Sequence, residues 1–186
     1  MLPELERFPL VIVPGINGSG PEHWQTYWEA AHAGSHRITP ESYDEPELED
    51  WVRAVDHAVA SCESPPLIAA HSLGCLATVA WAAGGAAQGR VAAVLMVAAP
   101  DPSDPAFPVL APSFAGVMPA PLGVPSAVVA STDDQYASVE YEASLAAGSG
   151  AVLHVVGALG HINADTALGE WPEGQRILAD LIAGAG

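Results

Sequence analysis

Three side chains of this sequence have types suited to acyl transfer: a serine at Ser72, an acid at Asp133 or Asp134, and a histidine at His161. A serine hydroxyl is a poor nucleophile at its own pKa and needs a base to take its proton. A neutral histidine serves, and returns the proton to the leaving group. The acid then holds the histidine tautomer and stabilises the imidazolium. The negative charge that develops on the attacked oxygen needs backbone N–H donors, here Leu73 after the serine and Ile16 or Asn17 in the Pro14–Gly15 loop. Each of these groups follows an apolar run, so each is placed by the end of a strand.

The element that must position Ser72 is the most distinctive stretch. Leu67-Ile68-Ala69-Ala70 is a short apolar run behind Pro65-Pro66, and an Ala/Leu-rich helical run extends from Cys75 to Ala83. Between them lies Ala70-His71-Ser72-Leu73-Gly74, one residue away from the G-x-S-x-G pattern of a sharp strand-to-helix turn that lifts its serine above a sheet. Alone the pentapeptide is weak, because a serine before a helix is often only an N-cap.

The rest of the chain supplies the sheet. Short runs rich in β-branched residues at Phe8–Val13, Val91–Ala98, Val124–Ala130 and Ala151–Val156, with a weaker one at His36–Thr39, read as buried strands. Between them, Trp24, Tyr27/Trp28 and Ala31 share a helical face, as do Leu48, Trp51/Val52, Val55 and Ala58/Val59. Ser19 to Glu22 fits a capping box for the first helix, and Ser138 is placed to cap a later one that runs to about Ala147. The last helix lies within Leu168–Ala183. Alternating strands and helices predict an α/β protein: a three-layer α/β/α sandwich on a mostly parallel six-stranded sheet, as one domain over residues 1–186. Right-handed crossovers bring the loop-bearing strand ends to one edge, where ligands bind. Serine, acid and histidine follow separate strands in the chain order expected of an α/β-hydrolase.

At these residues the chain resembles the small serine hydrolases grouped with retinoblastoma-binding protein nine and its bacterial YdeN-like relatives. The matching pieces are Pro14-Gly15, Gly18-Ser19-Gly20-Pro21-Glu22-His23-Trp24, Trp51, His71-Ser72-Leu73-Gly74-Cys75, Ser131-x-x-Asp134-x-Tyr136 and Gly160-His161-Ile162-Asn163, spread over nearly the whole chain. The resemblance implies a minimal, lidless α/β-hydrolase fold, hydrolysis of small esters, and Asp134 as the acid. Gln135 stands where the family usually has proline, which keeps Asp133 as the alternative. The L-x-C-x-E motif for which the animal protein is named is not matched, since Leu73-Gly74-Cys75-Leu76-Ala77 lacks the acid, so no protein partner is implied.

Composition narrows the chemistry. A net charge of −17 disfavours nucleic acid and anionic membrane surfaces as partners. All five basic residues are arginine, so Schiff-base, Ser-Lys and phosphate-loop chemistry are excluded for lack of a lysine. No cofactor is called for, and the scattered histidines lack metal-ligand spacing. Cys62 and Cys75 have no redox spacing, the N-terminus has no signal-peptide pattern, and no apolar run reaches membrane-spanning length, which together predict a cytoplasmic protein.

Pocket residues are harder to read. His23 and Trp24 could line a substrate mouth, although a tryptophan at helical spacing is more often core. The proline-rich segment Ala99–Gly123 is long for a plain connection and offers Phe107 and Phe114 to an acyl group, or is simply a rigid surface loop. Its shortness where larger relatives insert a lid favours small substrates. A non-catalytic binding module, an amidase and an acyltransferase remain the competing readings on the same machinery.

Overall fold

The apolar runs form strands because their β-branched residues suit a pleated surface covered on both faces. In the computed structural model, which describes residues 1–184, β1 (Leu10–Val13), β2 (Ser35–Arg37), β3 (Leu67–His71), β4 (Ala93–Val97), β5 (Ser126–Ala130) and β6 (Val152–Val155) make one sheet in the order β2-β1-β3-β4-β5-β6. Every neighbouring pair is parallel. The strands are shorter than the apolar runs: Phe8, Val91 and Val124 lie outside the ladder.

Side chains alternate between the two faces with the strand period of two. Val11, Val13, Ile68, Ala70, Val94, Met96 and Val128 pack under α2 (Leu48–Ala60), α3 (Leu73–Ala82) and α4 (Val139–Ser149). Leu10, Ile12, Leu67, Ala69, Leu95, Val97 and Val129 pack under α1 (Trp24–Ala31) and α5 (Pro172–Ala183). The result is the expected α/β/α sandwich. Because β3 is covered on both sides, all five of its residues are buried.

The strand order fixes where a site can form. From β1 the chain moves outward to β2 and then crosses back to β3, so the connections after β1 and β3 leave in opposite directions. The crevice at such a switch point lies at the carboxyl ends of the strands. Here it is bounded by Pro14–Asn17 after β1 and Ser72 after β3.

The start of α1 differs from the capping box read in the sequence. The helix begins at Trp24, and His23 is its N-cap, its Nδ1 accepting the Gln25 N–H at 3.2 Å. The Ser19 hydroxyl instead donates to Gln25 Oε1 at 2.7 Å. Ser138 does cap α4, accepting from the Tyr141 N–H. Among the described residues, no helix is long and apolar enough to cross a membrane.

Candidate active site

Ser72 sits between β3 and α3 with φ 54° and ψ −126°. That conformation is disfavoured for a residue with a side chain, and such strain is kept where the surroundings enforce it. Two glycines enforce it here. A methyl on Gly74 would lie 2.4 Å from the Val13 carbonyl oxygen and 2.5 Å from that of Pro14. One on Gly15 would lie 2.8 Å from Ser72 Cβ. The α3 terminus is thereby pressed against the end of β1. Ala70, at the first small position of the motif, keeps its methyl in the core under α2 and α3.

His161 Nε2 is 3.0 Å from Ser72 Oγ. Its Nδ1 faces the Asp134 carboxylate, 2.8 Å from Oδ2 and 3.0 Å from Oδ1. Asp134 Oδ1 also accepts the Tyr136 N–H at 2.9 Å. The Asp134 side chain is fully buried and that of His161 is 9% exposed, so the relay is shielded from water and the imidazole is oriented by the buried acid.

Asp133 has a different partner set. It accepts from the Ser131 hydroxyl at 2.8 Å and from the Gly160 N–H at 2.7 Å. These two donors, the backbone one foremost, hold its carboxyl below the usual range. The two adjacent acids divide the work: one faces the imidazole, the other ties down the loop that carries it.

That loop is fastened at several points. The Leu159 N–H donates to Ser131 Oγ, the His161 carbonyl lies 2.9 Å from His71 Nε2, and the Ile162 carbonyl accepts the Trp24 indole N–H at 2.9 Å. Ile162 is a fully buried β-branched residue at φ 46°, a second enforced strain next to His161. Gln25, also fully buried, donates to the carbonyls of Val13 and Ala69 and so bridges the ends of β1 and β3. Sequence reasoning missed Gln25 and the clamping role of His71; for Gln25 the only signal was its place directly after His23-Trp24.

A cavity of about 310 Å³ opens above Ser72. Gly15, Ile16, Asn17, His23, His71, Pro100, Pro108, Tyr136, His161 and Asn163 are among its lining residues. Three of the side chains expected at a substrate mouth lie elsewhere. Trp24 is buried against Trp28 and Trp171. Phe114 is buried edge-on to Trp51. Phe107 is half-buried and packs against the core. In their place Pro100 and Pro108 form the apolar wall. Leu73 is the first residue of α3, directly after Ser72, so its N–H has no intrahelical partner. The Asn17 N–H, one of the two expected oxyanion donors, is committed to the Tyr43 carbonyl at 3.1 Å. No cluster of three or more metal-ligating side chains occurs among the described residues.

One buried acid stands behind the relay. Glu142 of α4 is fully buried, accepts the Ala99 N–H at 2.9 Å through Oε1, and has no partner for Oε2 among the described residues. Burial, and then the nearby Asp134 charge, push its carboxyl up to about 9. The folded protein therefore holds a proton that the unfolded chain releases above its ordinary value of 4.5. Stability is lost as pH rises from there to about 9, at up to ~1.4 kcal/mol per pH unit from this group. Glu142→Gln, neutral in both states and still able to accept from Ala99, should be more stable than the parent at pH 8 and should lose that advantage near pH 4. Denaturant melts at the two pH values check this.

A parallel sheet of this order, with a strained serine after β3 and a histidine loop after β6, defines an α/β hydrolase. More particularly, the chain belongs to the serine hydrolase family, whose sequence pattern matches residues 10–180. Among solved structures it is similar to a protein described as a YdeN-like hydrolase from Pectobacterium atrosepticum, at 29% identity and a TM-score of 0.83, covering 97% of this chain and 94% of that one. The ydeN gene product of B. subtilis shares 23% identity with a TM-score of 0.75, covering 94% and 98%. An esterase domain from Rhodothermus marinus shares the fold at 20% identity and a TM-score of 0.62, covering 90% and 85%. No curated protein matches the chain by sequence. The resemblance to YdeN-like proteins and the expected fold are both borne out.

Proposed function

We propose that this hydrolase is a carboxylesterase that cleaves small neutral esters through an acyl-enzyme on Ser72. The observation that carries the reading is the continuous relay from Ser72 Oγ through His161 to Asp134. His161 Nε2 takes the Ser72 proton as Oγ adds to the ester carbonyl. The resulting oxyanion is met by the N–H groups of Leu73 and Ile16. His161 then passes the proton to the departing alkoxide, and the acyl group stays on Oγ. A water enters, loses a proton to His161, and releases the acid and free Ser72 by the reverse path.

Substrate size follows from the cavity. At about 310 Å³ it lies near the lower end of the range, roughly 300–1,000 Å³, in which small ligands bind. No Asp, Glu, Arg or Lys lines it, and the net charge of −17 repels anionic esters. Short, uncharged esters fit both facts.

The experiment is labelling by a fluorophosphonate probe with mapping of the modified residue, followed by a panel of esters of rising acyl length. Expected are a single adduct at Ser72 and a kcat/KM that falls beyond short acyl chains. A labelled Ser72 with amide turnover but no ester turnover would move the assignment to an amidase. Asp134→Asn should lower kcat by about 10⁴, because the amide can stabilise the wrong imidazole tautomer; steady-state kinetics on a short ester reads this.

A further inference from the structure

Two imidazoles other than His161 line the cavity, and the acyl-transfer steps use neither. His71 is 4% exposed, and its Nε2 lies 2.9 Å from the His161 carbonyl oxygen. A carbonyl only accepts, so Nε2 carries the proton and Nδ1 presents a lone pair. That Nδ1 has no partner among the described residues. It lies close to the nucleophile: a methyl built on Gly15 would sit 3.4 Å from His71 Nδ1 and 3.2 Å from Ser72 Oγ.

His23 is the complement. It is also 4% exposed, and its Nδ1 accepts the Gln25 N–H, so its Nε2 carries the proton. Nε2 is buried with no partner among the described residues. An unpaired buried donor costs ~1–3 kcal/mol, and native structures keep few of them. The two rings are in edge contact, with centroids 4.6 Å apart. Burial, then Arg37 and His161, lower His23 to about 4, and burial, then His161, holds His71 well below its ordinary value. Both rings are therefore neutral at physiological pH, and their tautomers are fixed from behind by Gln25 and His161.

We propose that His23 and His71 form a hydroxyl-binding subsite beside Ser72, His23 Nε2–H donating to and His71 Nδ1 accepting from one substrate hydroxyl, so that the enzyme selects esters with a free hydroxyl near the scissile carbonyl. The chemistry of the pair favours a hydroxyl over other groups. A carbonyl or ether accepts but cannot donate, which leaves His71 Nδ1 unpaired. An ammonium donates but cannot accept, which leaves the His23 N–H unpaired. A carboxylate brings charge into a cavity with no cation on its walls. One hydroxyl oxygen does both, whereas a methyl group does neither.

The location beside a scissile ester rests on the function proposed above; the donor–acceptor pair does not. Two substitutions separate the subsite from the scaffold. His23→Asn keeps an oxygen at the N-cap, a favoured residue there, and removes the Nε2 donor. His71→Gln keeps an amide N–H for the His161 carbonyl and removes the Nδ1 acceptor. The substrates are matched pairs: 2-hydroxyethyl butanoate against propyl butanoate, and methyl hydroxyacetate against methyl propanoate. Expected is a preference in kcat/KM of about tenfold or more for the hydroxylated member of one pair, because a site with paired polar groups discriminates against a ligand that leaves them unpaired. Each substitution should bring that ratio close to one. Equal kcat/KM within both pairs, or a ratio that survives both substitutions, overturns the proposal. If the protein turns over no ester, the proposed function fails on its own, and the subsite is read by histidine ¹⁵N resonances instead. Ethylene glycol at molar concentration should then shift His71 Nδ1, while 1,2-dimethoxyethane, which accepts but cannot donate, leaves it unmoved; equal His71 Nδ1 responses to the two overturn it.

Discussion

Alanine at position 72 is expected to lower ester turnover on the order of 10⁶-fold, and glycine there to lower it as much while leaving a more stable protein. The loss follows from removing the hydroxyl that His161 Nε2 faces, at 3.0 Å. What remains is background attack by water, assisted by the oxyanion donors proposed above. The stability difference follows from the backbone. At φ 54° and ψ −126° any residue with a Cβ is strained by about 1–3 kcal/mol. Alanine keeps that strain. Glycine removes it, and gives back roughly 0.5–1 kcal/mol through the greater freedom of its unfolded chain. Ser72→Gly should therefore melt about 2–4 °C above Ser72→Ala, the shift expected for about 1 kcal/mol in a domain of this size. Calorimetry of the two variants beside steady-state kinetics measures both effects. Turnover within tenfold of the parent in either variant would remove Ser72 from the chemistry. A glycine variant that melts below the alanine one would show that the elbow is not where the strain is held.

The relay and the sheet were legible in the sequence for different reasons. The strands show because a parallel sheet covered on both faces needs unbroken apolar runs, and Leu67–Ala70 or Ala93–Val97 can hardly be anything else. Their ends do not show, because Phe8 and Val91 are apolar for packing beyond the ladder. The choice between Asp133 and Asp134 is invisible to pattern: adjacent carboxylates have one chemistry, and only the turn decides that Asp134 faces the imidazole while Asp133 takes the Gly160 N–H. The capping box at Ser19 is a sound local motif that loses to tertiary bonds. Gln25 takes the serine hydroxyl and Arg37 takes the Gly18 carbonyl, so His23 becomes the cap. Phe107 and Phe114 share one difficulty. The direction of a single aromatic in a proline-rich loop has no periodicity behind it, whereas the helical spacing of Trp24 already favours the buried position it takes. The commitment of the Asn17 N–H to Tyr43 is likewise a long-range bond that no local signal foretells.

The largest effect on folding should come from a single methyl at Gly74. Its Cβ would meet two carbonyl oxygens of the backbone, Val13 at 2.4 Å and Pro14 at 2.5 Å, and neither can rotate away as a side-chain end could. Either α3 or the end of β1 must move by several tenths of an ångström. Overpacking typically costs about 1–3 kcal/mol, and more where the obstruction is rigid, so Gly74→Ala should lower the melting temperature on the order of 10 °C. The same shift carries a chemical consequence. Pro14 leads directly into Gly15 and Ile16, so pushing it away would draw the Ile16 N–H from the oxyanion role proposed for it, and losing one such donor typically costs about 10²–10³ in kcat. The folded fraction of Gly74→Ala should thus be slow as well as scarce, with phosphonate labelling of Ser72 slowed in parallel, because the phosphoryl oxygen needs the same two donors. Gly116→Ala is the control: nothing lies within 4 Å of its added methyl, and its effect should stay within about 0.5 kcal/mol. A Gly74→Ala protein that melts with the parent and labels at the parent rate would mean that the close approach of α3 to β1 does not position the donor, and that the Leu73 N–H carries the oxyanion alone.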